Sequence, residues 1–94
     1  MHIRLTRARF DPTNYDEVRD IIGDVIDAFR QQPGFLSYYT AIDRVGEMAI
    51  NVSTWDTEEH ARVSRSVLGD AVPRLQESGF QLDAPEFYEV VAHS

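Results

Sequence analysis

Cysteine is absent from the 94 residues, which excludes disulfides, thiolate nucleophiles and cysteine-based zinc sites. The three histidines, His2, His60 and His93, do not have metal-ligand spacing such as H-x-x-x-H, so we predict no metal site. The sequence has neither the G-x-G-x-x-G nor the P-loop pattern of nucleotide sites, and no nucleophile-elbow motif that would support a Ser-His-Asp triad. We therefore expect no metal, no cofactor and no covalent nucleophile.

Long apolar runs and excess positive charge are also missing. No stretch approaches the roughly 18–20 apolar residues of a membrane span, and "MHIRLTRARF" lacks the apolar centre of a signal peptide, so we expect a cytoplasmic protein. Nine basic and sixteen acidic residues leave a net charge of -7, which repels nucleic-acid phosphates. We interpret Arg4, Arg7 and Arg9, the one basic cluster, as solvated or ion-paired. Neither nucleic acid nor a membrane is an expected partner.

Helical periodicity appears in two parts of the chain. Apolar side chains recur every three or four positions over 15–29, which predicts an amphipathic helix that ends at "QQPG" because proline cannot continue it. Asn14 and Glu17 at its start have the spacing of a capping box. A later apolar stripe is interrupted by Gly69 and Pro73, so we expect two short helices, at about 57–67 and about 71–78.

Strands are predicted where aromatic and β-branched residues concentrate, at 2–10, 35–43, 48–55 and 84–93. The two central strands flank the short turn 44–47 and are predicted to form a β-hairpin. The resulting order, β-α-β-β-α-β, is that of an α+β, ferredoxin-like domain with a four-stranded antiparallel sheet and helices on one face. No linker or repeat interrupts residues 1–94, so we expect a single domain.

Both faces of this sheet carry apolar residues, which predicts that a second copy covers the outer face. In the strand 48–55, alternate side chains point to opposite faces. The set predicted to face the other subunit is Met48, Ile50, Val52 and Thr54. The set predicted to face the helices is Ala49, Asn51, Ser53 and Trp55. A homodimer that packs sheet against sheet would bury the apolar residues of the outer face.

Asn51 and Trp55 are the main candidates for a site, because both face the helices from one strand. A buried amide is costly unless it is hydrogen-bonded, and an indole N–H also needs a partner. One interpretation is that both line a cavity that binds a small molecule. The alternative is that Asn51 is satisfied by the backbone and that Trp55 fills the end of the barrel.

Candidate substrate-binding side chains come from three further places. Arg65 lies on the predicted apolar helical stripe, where it either reaches the solvent at the edge or supplies a cation for a phenolate, enolate or carboxylate. Arg74 is an alternative cation. Tyr38 and Tyr39 point to opposite faces, so only one can line the cavity, and we take Tyr39 as the candidate. His60 is a weaker candidate.

The segments "QQPGFLSYYTAID" and "MAINVSTWDTEEHA" resemble the antibiotic biosynthesis monooxygenase family of dimeric α/β-barrel proteins. The resemblance covers residues 32–61 and implies two sheets that form a barrel, with a cavity between sheet and helices in each subunit. Cofactor-independent members oxidise aromatic, polyketide-like compounds with O2, and Asn51 and Trp55 match their Asn-x-x-x-Trp spacing. The resemblance thus implies catalytic roles for Asn51 and Trp55 and a small aromatic or quinol-like substrate.

Other functions on the same fold stay open. A haem-degrading branch of the family uses an asparagine on the first strand and a helix histidine, and this chain has no asparagine in residues 1–10 and carries Arg65 in place of that histidine. A non-catalytic barrel that binds a small hydrophobic ligand is the main alternative, and an isomerase or cyclase is another. A Trp55 side chain that simply fills the cavity would weaken the monooxygenase hypothesis.

Overall fold

Five strands and three α-helices make up the fold, and the computed structural model describes all residues from 1 to 94. The strands are β1 (His2–Arg9), β2 (Phe35–Asp43), β3 (Met48–Trp55), β4 (Gln81–Leu82) and β5 (Glu86–Glu89). The helices are α1 (Tyr15–Arg30), α2 (Glu58–Ala61) and α3 (Ala71–Glu77), with 3-10 turns at Pro12–Asn14 and Arg65–Leu68. None of the helices has the length and apolar composition needed to cross a bilayer.

All strand pairs are antiparallel, and the order is β2-β3-β1 followed by β4 and β5, which both pair with β1. β4 pairs with the Ala8–Arg9 end of β1 and β5 with the His2–Leu5 end, so together they occupy the fourth strand position. The ferredoxin-like prediction is confirmed. The last strand, predicted over 84–93, is shorter in the structure: β5 covers Glu86–Glu89. The additional short strand β4 precedes Pro85, which has no N–H to donate.

α1 covers the inner face of the sheet with one apolar side. Its buried residues are Val18, Ile21, Ile22, Val25 and Phe29. The predicted capping box is wrong, because Asn14 makes no side-chain cap; instead its Nδ2 donates to the Ser78 carbonyl at 2.9 Å. Asp11 begins the segment by accepting a hydrogen bond from the Thr13 backbone N–H. Asn14 thereby joins the start of α1 to the end of α3.

The predicted helix at about 57–67 is much shorter in the structure. α2 begins after Thr57, whose hydroxyl accepts from the His60 N–H, and it ends at Ala61. Ser64 then adopts an extended conformation, and its hydroxyl accepts from the Ser66 N–H to begin the 3-10 turn Arg65–Leu68. Such local hydrogen bonds compete with helix continuation. The predicted interruption at Gly69 is confirmed, with φ at 59°.

The two faces of the sheet differ in burial. The helices cover the inner face, where Ala49, Asn51, Ser53 and Trp55 are buried as predicted. On the outer face several large apolar side chains are exposed, among them Tyr39, Met48, Ile50 and Tyr88. The alternation assigned to β3 is therefore correct, and the outer face is apolar without a covering layer in the single chain.

Candidate functional site

Polar side chains form two adjacent rows across the centre of the inner sheet face. In one row, Arg4 of β1 and Tyr38 of β2 both lie beside Ser53 of β3. In the next row, Thr6 and Thr40 flank Asn51 in the same way. Side chains at alternate positions share a face, so these six point toward the helices. Six polar side chains on the inner face of a small core require hydrogen-bond partners within the protein.

Asn51 is the centre of that hydrogen-bond network. Its Oδ1 accepts from the Tyr38 hydroxyl at 3.0 Å and from the Thr40 hydroxyl at 2.8 Å. Its Nδ2 donates to the Thr6 carbonyl at 3.3 Å. The amide is 8% exposed, and its contacts fix which end is oxygen and which is nitrogen. Asn51 thus holds two hydroxyl side chains of β2 in place.

Tyr38 is a neutral hydrogen-bond donor at ordinary pH. Burial raises the pKa of Tyr38 to about 12, because the phenolate would lose its hydration. The ring also contacts Phe29 of α1, with centroids 6.0 Å apart. A hydroxyl with so high a pKa donates to an oxygen atom and does not act as a base near pH 7.

Arg4 brings a positive charge into the same rows and is only 5% exposed. Its Nη1 donates to the backbone carbonyls of Ala61, at 3.1 Å, and Val63. These carbonyls are free because α2 ends at Ala61. The guanidinium also lies over the rings of Phe29 and Phe87, at 5.6 and 5.7 Å from their centroids. Arg4 therefore fastens the end of α2 to the sheet.

A cavity opens beside these polar rows. Side chains of the sheet, of α1 and α3 and of the Arg65–Leu68 turn line it: Arg4, Thr6, Ile22, Val25, Phe29, Tyr38, Asn51, Ser53, Arg65, Leu68, Leu75 and Leu82. The cavity volume is about 40 Å³, which holds about three water molecules. One wall is polar and positively charged, and the opposite wall is apolar.

Two of the predicted site residues, Asn51 and Arg65, line this cavity. Arg65 reaches it from the 3-10 turn instead of from the predicted helix, and its Nη2 donates to the backbone carbonyl of Asp83. No aspartate, glutamate or histidine is among the lining side chains. The cavity therefore offers hydrogen-bond donors and cations but no side-chain base.

Trp55 does not line the cavity. The indole is completely buried, and its Nε1 donates to the Ser53 hydroxyl at 2.8 Å. It meets the rings of Phe29 and Phe35 edge-on, with centroids 5.6 and 5.4 Å away. Since Phe29 itself borders the cavity, Trp55 supports that wall from behind. In this position Trp55 is a core residue.

Three other predicted residues lie elsewhere. Tyr39 points to the outer face and is 67% exposed, because a bulge between Phe35 and Ser37 in β2 places Tyr38 on the inner face. Arg74 is on the surface of α3, where it pairs with Asp24 at 2.9 Å. His60 pairs with Asp56 at 2.6 Å beside the first turn of α2. None of the three borders the cavity.

Sequence reasoning missed Arg4 and Tyr38 as site residues. Arg7 and Arg9 are solvated or ion-paired as predicted, since both are exposed and Arg7 pairs with Glu86 at 2.8 Å. For Arg4 the prediction is wrong, because Arg4 is buried. The available signal was the alternation of β1, which puts Arg4 on the face opposite to Arg7 and Arg9. The alternation of β1 thus shows that Arg4 faces inward, but it does not show that Arg4 binds the carbonyls of Ala61 and Val63.

Solved structures named as antibiotic biosynthesis monooxygenases share this fold. A candidate member from Deinococcus radiodurans is 18% identical, with a TM-score of 0.76 over 100% of this chain and 96% of that one. SnoaB, a cofactor-independent oxygenase from Streptomyces nogalater, is 13% identical, with a TM-score of 0.74 over 98% and 94% of the two chains. A further candidate member, from Chloroflexus aurantiacus, is 22% identical, with a TM-score of 0.64 over 100% and 98%.

These likenesses support the resemblance seen in the sequence, and at such identities they show the fold. The sequence itself matches no protein-family model and no curated protein at a significant level.

Proposed function

We propose that this protein is a cofactor-independent monooxygenase that oxidises a small aromatic, polyketide-like or quinol-like molecule with O2. The observation that carries the proposal is the cavity, in which Arg4, Tyr38 and Asn51 face an apolar wall. The fold shared with SnoaB, named a cofactor-independent oxygenase, supports it. An aromatic ring fits the apolar wall, and an oxyanion on the ring fits the opposite wall of donors.

The cavity's donors suit a reaction that passes through a substrate anion. A phenol loses its proton to water, since no side-chain base lines the cavity. The ring carbon para to the phenolate oxygen then bonds to O2, and protonation of the outer oxygen gives a hydroperoxide. Loss of water breaks the O–O bond and leaves a second carbonyl, so that phenol and O2 become quinone and water. Arg4 would stabilise the negative charge that develops on the oxygen atoms, and this stabilisation lowers the barrier to the first C–O bond.

Substrate entry requires the cavity to widen. A void that holds benzene measures roughly 150 Å³, whereas the present volume is about 40 Å³. The Arg65–Leu68 turn is the cover best able to move, because its backbone is held by a 3-10 turn and not by a full helix, and none of its residues is buried. Outward movement of Leu68 would admit one ring between α1 and the sheet.

An oxygen-electrode screen over phenols and hydroquinones tests the proposed activity. We expect O2 uptake with at least one of them and product that contains one oxygen atom from 18O2. Asn51→Ala should lower the rate, since Tyr38 and Thr40 lose their common acceptor. Tyr39→Phe, on the outer face, serves as the matched control. No uptake with any compound that binds in the cavity would refute the activity.

A non-catalytic barrel that binds a small hydrophobic ligand is the second candidate. The burial of Trp55 favours it, because the residue that the family resemblance assigned to catalysis lies outside the cavity. This alternative predicts ligand affinity without O2 consumption. Calorimetric titration together with the oxygen electrode therefore separates the two functions.

We further propose a homodimer through the outer sheet faces. The exposed Met48, Ile50 and Tyr88 side chains support it, since a second copy would remove this apolar surface from water. We retain Asn51 as a catalytic residue and Arg65 as a substrate-binding residue of each subunit. The single-domain organisation and the cytoplasmic location stay predictions from the sequence.

A further inference from the structure

Arg4 holds a buried positive charge that no carboxylate of the chain neutralises. The ion pairs of the protein involve Arg7, His60, Arg62 and Arg74 but not Arg4. A buried charge without an opposite partner is costly. Such a residue is retained either for a purely structural contact or because a ligand supplies the missing charge.

The contacts of Arg4 leave part of its guanidinium free. Both hydrogen bonds to the carbonyls of Ala61 and Val63 come from Nη1, and neither Nε nor Nη2 donates to any protein atom. The guanidinium borders the cavity together with Tyr38 and Asn51. Because guanidinium N–H groups lie in one plane, the unused donors can hold a carboxylate through two parallel hydrogen bonds.

Arg65 adds a second positive charge to the same cavity. It has no carboxylate partner either, and its known donor contact is to the Asp83 backbone carbonyl. Burial, and next the nearby charge of Arg65, lower the pKa of Arg4 to about 10. Two cations that repel each other beside an uncharged wall would both be stabilised by one bound anion.

We propose that the cavity selects an aromatic carboxylate, whose negative charge is bound by Arg4 and Arg65 while its ring lies against the apolar wall of α1. A hydroxyl substituent of the ring then donates to the Tyr38 oxygen, because the Tyr38 proton is already donated to Asn51. This inference rests on the proposed function in one respect: both take the cavity as the site where the ligand binds. It adds a carboxylate to the substrate class and assigns its recognition to Arg4.

Binding of two matched probes to the wild-type protein tests the inference. The probes are 2,5-dihydroxybenzoate and 2,5-dihydroxybenzamide, which share the ring and both hydroxyl groups and differ in one negative charge. Titration calorimetry under nitrogen prevents oxidation of either probe. We expect the carboxylate to bind at least about tenfold more tightly, as is typical of a hydrogen bond to a charged group. Equal affinity for the two probes would overturn the inference.

Variants locate the charge that makes this discrimination. Arg4→Gln should reduce the ratio of the two affinities to about threefold or less, while Arg4→Lys, which keeps the charge but loses the planar pair of donors, should retain only part of it. Arg65→Gln should reduce the ratio of the two affinities in part. Because this variant leaves the carbonyl contacts of Arg4 intact, it tests the inference even if Arg4→Gln fails to fold. Arg9→Gln removes the same charge from the exposed face of β1 and should leave the ratio unchanged. A ratio that survives in both Arg4→Gln and Arg65→Gln would place the recognition elsewhere and refute the assignment.

Oxygen uptake is measured with 3-hydroxybenzoate and 3-hydroxybenzamide, in which the ring carbon para to the hydroxyl carries hydrogen, as the proposed step requires, and it separates this inference from the proposed activity. A preference for the carboxylate without O2 uptake supports the inference and contradicts the oxygenase. Uptake at equal kcat/KM for both probes supports the oxygenase and contradicts the inference.

Discussion

Replacing Trp55 by phenylalanine separates the contribution of this residue to the core from any contribution to ligand binding. The change removes the 2.8 Å hydrogen bond from the indole to Ser53, worth about 1 kcal/mol. It also leaves a void at a site with no exposed surface, which costs on the order of 1 kcal/mol more. The edge-on contacts with Phe29 and Phe35 are partly kept, because a phenyl ring still fills most of the space.

The sum is a loss of about 2 kcal/mol in the free energy of unfolding, which lowers Tm by about 8–16 °C in a domain of this size. Urea unfolding followed by circular dichroism measures the loss, with Tyr39→Phe as an exposed aromatic control. Affinity for 2,5-dihydroxybenzoate should stay within about twofold of wild type, since Trp55 does not line the cavity. A stable variant that no longer binds the probe would refute the assignment of Trp55 to the core.

Four other substitutions probe the network, the acid stability, the cavity and the dimer. Asn51→Ala removes three hydrogen bonds and should cost about 2–3 kcal/mol in urea unfolding, and a loss below about 0.5 kcal/mol would contradict the network. The hydrogen bond from His60 lowers the pKa of Asp56 below 3.8, so its stabilisation is present above that pH and lost below it. His60→Gln should therefore lower Tm at pH 5 by an amount that is lost as the pH falls below 3.8, and a difference of the same size at pH 2 would contradict the sign. Ile22 borders both the site and a neighbouring cavity of about 100 Å³, so Ile22→Ala should cost roughly 2–5 kcal/mol yet improve the affinity for two-ring ligands relative to one-ring ligands. Ile50→Glu should convert a dimer, measured by light scattering, into a monomer, and a monomeric wild type would contradict the dimer.

Periodicity predicted those parts of the fold that depend on local sequence. The helical spacing over 15–29 gives α1, because apolar residues on one side of a helix need a sheet to cover them. Alternation in β3 placed Asn51 and Trp55 on the inner face and Ile50 on the outer face, as the structure shows. One strand face therefore carries a residue that lines the cavity, Asn51, and one that does not, Trp55, and the pattern alone does not distinguish them.

The remaining features depend on contacts between distant residues. Arg4 is held by carbonyls 57 and 59 positions away along the chain, and these carbonyls are free only because α2 stops early. Tyr38 reaches the inner face through a bulge that shifts the alternation of β2. Because the bulge is not evident from the sequence, alternation alone cannot show whether Tyr38 or Tyr39 faces the cavity. The cavity itself is lined by the sheet, by α1 and α3 and by the Arg65–Leu68 turn, which are distant from one another in the sequence.

A crystal structure of the protein with 2,5-dihydroxybenzoate, grown without O2, tests the ligand site most directly. It should show the ring between α1 and the sheet, with the carboxylate within hydrogen-bond distance of Arg4 and a ring hydroxyl near Tyr38. The Arg65–Leu68 turn should have moved outward to make room for the ring. A probe bound on the outer sheet face, or in the cavity with its carboxylate turned away from Arg4, would contradict the proposed recognition.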